Sequence, residues 1–230
     1  MRHLVAGLVY VIGIGLAIYV VPSLRALSVS LFAGAGVLAL ILGFASQSVF
    51  ANIVSGIFIA IFKPFRVGDV ISVKNYLGTV EDITLKHTVI RSFENKRIII
   101  PNSLMNSEVI ENANIEDENI CKFVEVGISY DSSIDNAMKI MAREAQKHPL
   151  FLDHRTDDER KEKKPAVVVR VLGFSDSAIK LRAWVWAKTP GDAFILGCDL
   201  NKSIKEAFDK AGIEIPFPYR TIVYKNKKHK

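Results

Sequence analysis

Residues 26–62 read ALSVSLFAGAGVLALILGFASQSVFANIVSGIFIAIF, with no charge anywhere, and KPFRVGD follows at 63–69. As one straight helix the uncharged part would reach about 55 Å, well beyond a bilayer core of about 30 Å. Its polar middle, Ser46-Gln47-Ser48 and Asn52, predicts a division into a crossing half over 28–47 and a continuation over 49–62 along the membrane surface. Gln47, Ser48, Asn52 and Gly56 are the candidate kink region. Lys63-Pro64-Phe65-Arg66 then joins a helix-ending proline to cations that can snorkel, which reads as an anchor at the membrane interface.

Upstream, Leu4 to Val21 is a second apolar run of spanning length, closed by Pro22. A signal peptide is the competing reading, with Arg2 and His3 as its charged start. The run is long for such a segment, and no small-residue cleavage site follows it. Residues 1–66 are therefore expected to form a transmembrane region with two crossings, helix 4–21 and pore helix 28–47 with its continuation. Arg2, Lys63 and Arg66 lie on one side and Arg25 on the other, so the positive-inside tendency puts both termini in the cytoplasm. The expectation is a multi-pass protein of the inner or plasma membrane with a cytoplasmic C-terminal part.

The formal charge of +6 and sequence pI of about 9.2 invite a nucleic-acid reading. The distribution argues against it. No Asp or Glu precedes Asp69, and the later residues are close to balanced apart from a tail with Lys225, Lys227, Lys228 and Lys230. No basic face or aromatic ladder is left for a nucleic acid partner. Cys121 and Cys198 lack metal-ligand spacing and read as free thiols, which suits a reducing compartment.

In the crossing half, Gly36, Ala39 and Gly43 line one side of a helix with residues lacking bulk, so backbones can approach closely there. Leu40 and Phe44, one turn apart, point elsewhere. If copies meet around an axis, these two would stack as apolar rings able to exclude water by dewetting; otherwise they face lipid. Periodicity alone does not choose. Gly34-Ala35-Gly36-Val37-Leu38-Ala39 matches a dinucleotide fingerprint, but it sits inside an apolar run with no acid before Asp69, and helix packing explains it better.

After Arg66 the period shortens. Val70–Val73, Gly78–Ile83, His87–Arg91 and Arg97–Ile100 read as strands of a small β-barrel of the Sm or SH3 kind, filling a β domain over 67–120 that Pro101-Asn102 closes. Residues 121–218 alternate strand Lys122–Ser129, helix Ser133–Lys147, strands Ala166–Leu172 and Ala178–Ala187, helix Asp192–Ala211, and a last strand Thr221–Tyr224 lies in the C-terminal segment 219–230. That order predicts a ferredoxin-like α+β sandwich. Asp192 should cap the second helix and Gly212 end it, with Leu200, Ile204, Phe208 and Ala211 buried. The charged stretch 153–164 reads as a solvated loop. His148 and His154 around Asp153 are a poor metal signal, and no nucleophile elbow, phosphate loop or zinc helix is present. Catalytic residues, metal and cofactor are none.

The run Gly34 to Arg66, with its ending Phe62-Lys63-Pro64-Phe65-Arg66-Val67-Gly68-Asp69, resembles the pore helix of the small-conductance mechanosensitive channels (MscS family). So do Ile98-Ile99-Ile100-Pro101-Asn102, Tyr130-Asp131-Ser132 and Gly212-Ile213-Glu214-Ile215-Pro216-Phe217-Pro218, all in collinear order. The resemblance implies a homo-heptamer opened by membrane tension to pass ions and small solutes on hypoosmotic shock. Its inner helices would line the pore, Leu40 and Phe44 would be the gate rings, and the final strands would close a barrel on the axis of a hollow vestibule. Partners are then copies of the same chain, membrane lipids and the permeant solutes. The chain departs from the family pattern in three ways: two membrane helices where three are usual, Ser48 where a glycine commonly kinks the helix, and Phe44 in place of a leucine. A channel gated by ligand or voltage, and a non-conducting membrane scaffold, are the alternative readings.

Overall fold

The computed structural model describes residues 2–222. The chain divides into two compact units, one of residues up to 68 with 72–110, the other of 69–71 with the chain from 111 onward.

In the first unit, α1 (Arg2–Val20) turns through a short 3-10 segment at Pro22–Leu24 into α2 (Arg25–Phe62). The two helices fold back on each other because Gly15 leaves room for the ring of Phe32, and Ser28 Oγ donates to the Gly15 carbonyl at 2.8 Å. In the turn the Arg25 guanidinium lies 5.2 Å from the Tyr19 ring centroid. The expected break near Ser48 does not occur: α2 is helical throughout. Asn52 Nδ2 donates to the Ser48 carbonyl one turn back at 2.8 Å, so the polar middle feeds its hydrogen bonds into the helix instead of interrupting it.

β1 (Val70–Val73), β2 (Tyr76–Ile83), β3 (His87–Ser92) and β4 (Arg97–Pro101) follow as a meander. Pro101-Asn102 does not end this part. It starts a short helix, α3 (Asn102–Ser107), and β5 (Ile110–Asn112) returns to the outer edge, giving the sheet order β4-β3-β2-β1-β5. Strand alternation places Ile71, Val73, Val80, Ile90 and Ile100 inside. β5 has only three residues, too short for any period to reveal it.

In the second unit β6 (Ile120–Ile128), α4 (Ile134–Lys147), α5 (Asp157–Lys161), β7 (Val168–Phe174), β8 (Ile179–Ala187) and α6 (Pro190–Ala211) follow in order. The antiparallel sheet runs β6-β8-β7, so the first and second strands are split by the third, as in a split βαβ arrangement. Met141 of α4, Leu196, Leu200, Ile204 and Phe208 of α6, and Leu181 and Val185 of β8 close the core. The expected last strand lies partly outside the described residues, and Thr221 and Ile222 are not in a strand.

Three local expectations need correction. The cap of α6 is Thr189, whose hydroxyl accepts from the Asp192 backbone at 3.1 Å, because Pro190 starts the helix two residues earlier than Asp192 would. Ala211 is exposed in the last turn, where Gly212, at φ 68°, swings the chain away into a left-handed stop. The stretch 153–164 is largely exposed, as a solvated segment should be, but it is not all loop. Thr156 and Glu159 form a capping box that starts α5. Arg155 grips Asp153 through Nε and Nη2 at 2.9 and 2.8 Å and donates from Nη1 to the Lys164 carbonyl at 2.7 Å.

Those bonds from Arg155 hold the Asp153 carboxyl well below the usual carboxylate range. A lowered folded value means the contribution is complete above the ordinary range and lost only as pH falls through the lowered one. Wild-type amides of 156–164 are therefore expected to keep their protection from hydrogen exchange throughout the ordinary carboxylate range. Asp153→Asn should lose it already at neutral pH, and equal exchange in the two proteins at neutral pH would remove Asp153 as the fastening.

Candidate pore helix and its seat

The surroundings of α2 change along its length. From 29 to 51 every residue except Ser46 is exposed, whereas Ser55, Gly56 and Ile59 are buried. Leu40 and Phe44 are 63% and 75% exposed, Gly36, Ala39 and Gly43 are exposed, and a Cβ added at either glycine would meet nothing within 4 Å. Such a surface is stable only under lipid or other protein.

The second half of α2 rests on the β2–β3 connection and on α3. Gly56 comes so close to the Leu85 carbonyl that a Cβ would fall well inside van der Waals distance of it and 2.6 Å from Asn102 Nδ2. Gly56 is thus a close-approach residue inside a continuous helix, not a kink. Asn102 is fully buried and satisfied: its amide donates to the Thr84 carbonyl at 2.8 Å, its oxygen accepts from Thr88 Oγ1 at 3.0 Å, and its backbone N–H donates to the Lys86 carbonyl at 3.1 Å. Asn52 completes the seat. α3 follows Pro101, which has no side-chain acceptor, and Asn52 Oδ1 accepts from the Ser103 N–H at 2.9 Å, doing from another helix what an N-cap does locally.

The exit of α2 is set by Pro64. Proline disfavours the helical conformation in the residue before it, and Lys63 takes φ 49°, ψ 54°, with its N–H on the Ile59 carbonyl at 2.9 Å. Phe65 then turns inward to 1% exposure. Its ring is covered by the protein itself, not by a lipid surface as the sequence suggested. Lys63, Pro64 and Arg66 stay exposed, as does Gln47.

Of the four residues read as a kink region, Asn52 and Gly56 lie against α3, at Ser103 and Asn102, while Gln47 and Ser48 are exposed; Leu40 and Phe44 share an uncovered stretch. Sequence reasoning missed Leu85, Thr88 and Ser103. The pairing of Asn52 with the Pro101-Asn102-Ser103 turn was the available signal, since a capless helix start needs a remote acceptor. The two histidines separate: His148 Nε2 lies 3.1 Å from Asp199 Oδ2, and the His154 ring stacks on Trp186 at 3.9 Å between centroids. Cys121 is half-buried, and burial raises its thiol pKa; Cys198 is exposed.

An uncovered apolar helix built into a β unit, followed by an α+β unit, is the plan of a membrane-inserted subunit. Residues 48–115 match the family model for the mechanosensitive ion channel β-domain, and residues 124–215 that for the mechanosensitive ion channel MscS C-terminal domain. An uncharacterized MscS family protein of Archaeoglobus fulgidus is 33% identical over 210 residues, covering 91% of this chain and 70% of the relative. The small-conductance mechanosensitive channel MscMJ of Methanocaldococcus jannaschii is 32% identical over 198 residues, 84% of this chain and 53% of that one. Helicobacter pylori MscS in a closed state superposes with a TM-score of 0.73 at 24% identity, over 86% of this chain and 74% of that chain, and so shares the fold. The chain belongs to the MscS family of mechanosensitive channels.

Asn52→Ala should leave the Ser103 N–H without an acceptor and cost about 1–2 kcal/mol. It should be read as faster exchange of the Ser103 and Leu104 amides, with Asn52→Asp retaining the acceptor. Gly56→Ala should cost about 1–3 kcal/mol by overpacking against backbone that cannot yield. An alanine variant with the wild-type melting temperature would show that the close approach is dispensable.

Proposed function

We propose that the chain is the subunit of a homo-heptameric pore opened by membrane tension to pass ions and small solutes under hypoosmotic shock. One observation supports it most: α2 is a single helix with an uncovered apolar half and a half fastened to folded protein. Around a seven-fold axis the small-residue stripe Gly36, Ala39 and Gly43 allows neighbouring copies to approach, and Leu40 and Phe44 turn to the lumen as stacked apolar rings. Both rings lie in the half with no cover from their own chain.

Here α1 and the 28–47 part of α2 cross the inner or plasma membrane, and the same unbroken helix carries on through its fastened part to Lys63 and Arg66 on the cytoplasmic side, where the rest of the chain lies. Cover begins at Asn52, one turn past Ser48. Tension favours whichever packing of the helices has the larger area in the membrane plane, so opening is a population shift between two packings. The β unit fixes one end of each lever, and movement is concentrated in the unfastened part. Voltage has little to act on in α2, since 26–62 carries no charged side chain.

Phe44→Ser should hydrate the constriction and lower the opening tension in patches under graded suction, with slowed growth of cells expressing it. Leu40→Ser should do the same. Unchanged thresholds in both variants would take the gate away from these positions, and a monomer or dimer in mild detergent would remove the pore itself.

A further inference from the structure

The second unit holds a groove of about 460 Å³ on the sheet face turned away from α4 and α6. Its floor is Trp184 and Trp186 of β8, and its wall is the fastened stretch 153–164, which contributes Arg155, Glu159 and Lys164. Arg170 of β7 closes the far side. The wall is rigid for its composition, because Arg155 ties Asp153 to the Lys164 carbonyl and His154 stacks on Trp186.

The register on this face leaves a positive charge unanswered. Glu125, Arg182 and Arg170 stand directly opposite one another across the three strands. Arg182 is committed to Glu125, and its guanidinium also lies 4.6 Å from the Phe123 ring centroid. Among the described residues Arg170 has one side-chain bond, to the neighbouring Val169 carbonyl at 3.2 Å. Two like charges face to face in a sheet destabilise it, and the one carboxylate in the row is already taken. An anion beside Arg170 would relieve that repulsion; the Trp186 ring already carries the His154 imidazole, but Trp184 meets Phe123 only edge-on and leaves indole surface on which a flat ring can lie.

We infer that this groove binds a small planar ring carrying an anionic group, the chemistry of a mononucleotide, with the ring on Trp184 and the anion at Arg170. The volume is within the range of small-molecule sites. Binding here concerns the second unit alone and does not depend on the pore reading.

Trp184 and Trp186 are the only two tryptophans of the chain, so their emission reports this site directly. The full chain in detergent or nanodiscs is titrated with AMP, and separately with adenosine and with inorganic phosphate. AMP should change the emission saturably, with each half-ligand binding at least about tenfold more weakly. Arg170→Gln, a substitution at an exposed position, should weaken AMP about tenfold, and Arg170→Lys should restore part of the loss. No saturable response to AMP in the assembled protein overturns the inference and points to another copy covering the groove. Equal binding of phosphate alone, or an unaffected Arg170→Gln, also overturns it. Because the readout is emission and not conduction, a failure here leaves the channel reading intact, and a non-conducting protein that still binds AMP leaves this one intact.

Discussion

Everything in the first unit depends on backbone meeting backbone at Gly56 and Leu85. A helix can lie this close to a strand connection only where it carries no side chain, and the approach brings Asn102 within reach of three partners that a buried amide must find. Asn52 adds the converse service, giving an acceptor to a helix start that has none of its own. Apolar packing through Ile59 and Phe65 then closes around a polar joint whose geometry is already fixed.

This constraint gives one helix two characters. Between 29 and 51 its side chains are uncovered and can exchange neighbours, while from Asn52 to Phe65 it is part of a folded unit. A device that answers a small force needs such a division, because a uniformly seated helix would not move and a uniformly loose one would transmit nothing. Packed interfaces switch between discrete arrangements instead of deforming smoothly. The transition from uncovered to fastened occurs within a turn or two of Ser48 and Asn52, although the helix itself is unbroken there.

The second unit uses charge differently. Its most charged stretch, 153–164, is fastened by a bidentate arginine, a capping box and a ring stack into a wall over the open sheet face. Surface ion pairs of this sort contribute little stability one at a time. Their effect is to hold shape, and the shape encloses two indoles beside an arginine with no carboxylate of its own.

Much of this was legible in the residues. Apolar length, the switch from helical to alternating periodicity, Pro64 as a stop and Gly212 as a cap are local properties, set by backbone sterics and side-chain polarity within a few positions, and they placed most helices and strands within a few residues of their observed bounds. Contacts between distant segments were not legible. Phe65 looked like a lipid anchor, Gly56 a hinge, Asn52 a weak point and 153–164 a solvated loop without a helix, since each residue type suits either role. Which role it takes depends on what stands opposite: the Leu85 carbonyl, the Ser103 N–H, the Trp186 ring. Those partners lie tens of residues away, and only the folded chain, where burial requires every polar group to find a partner, brings them together.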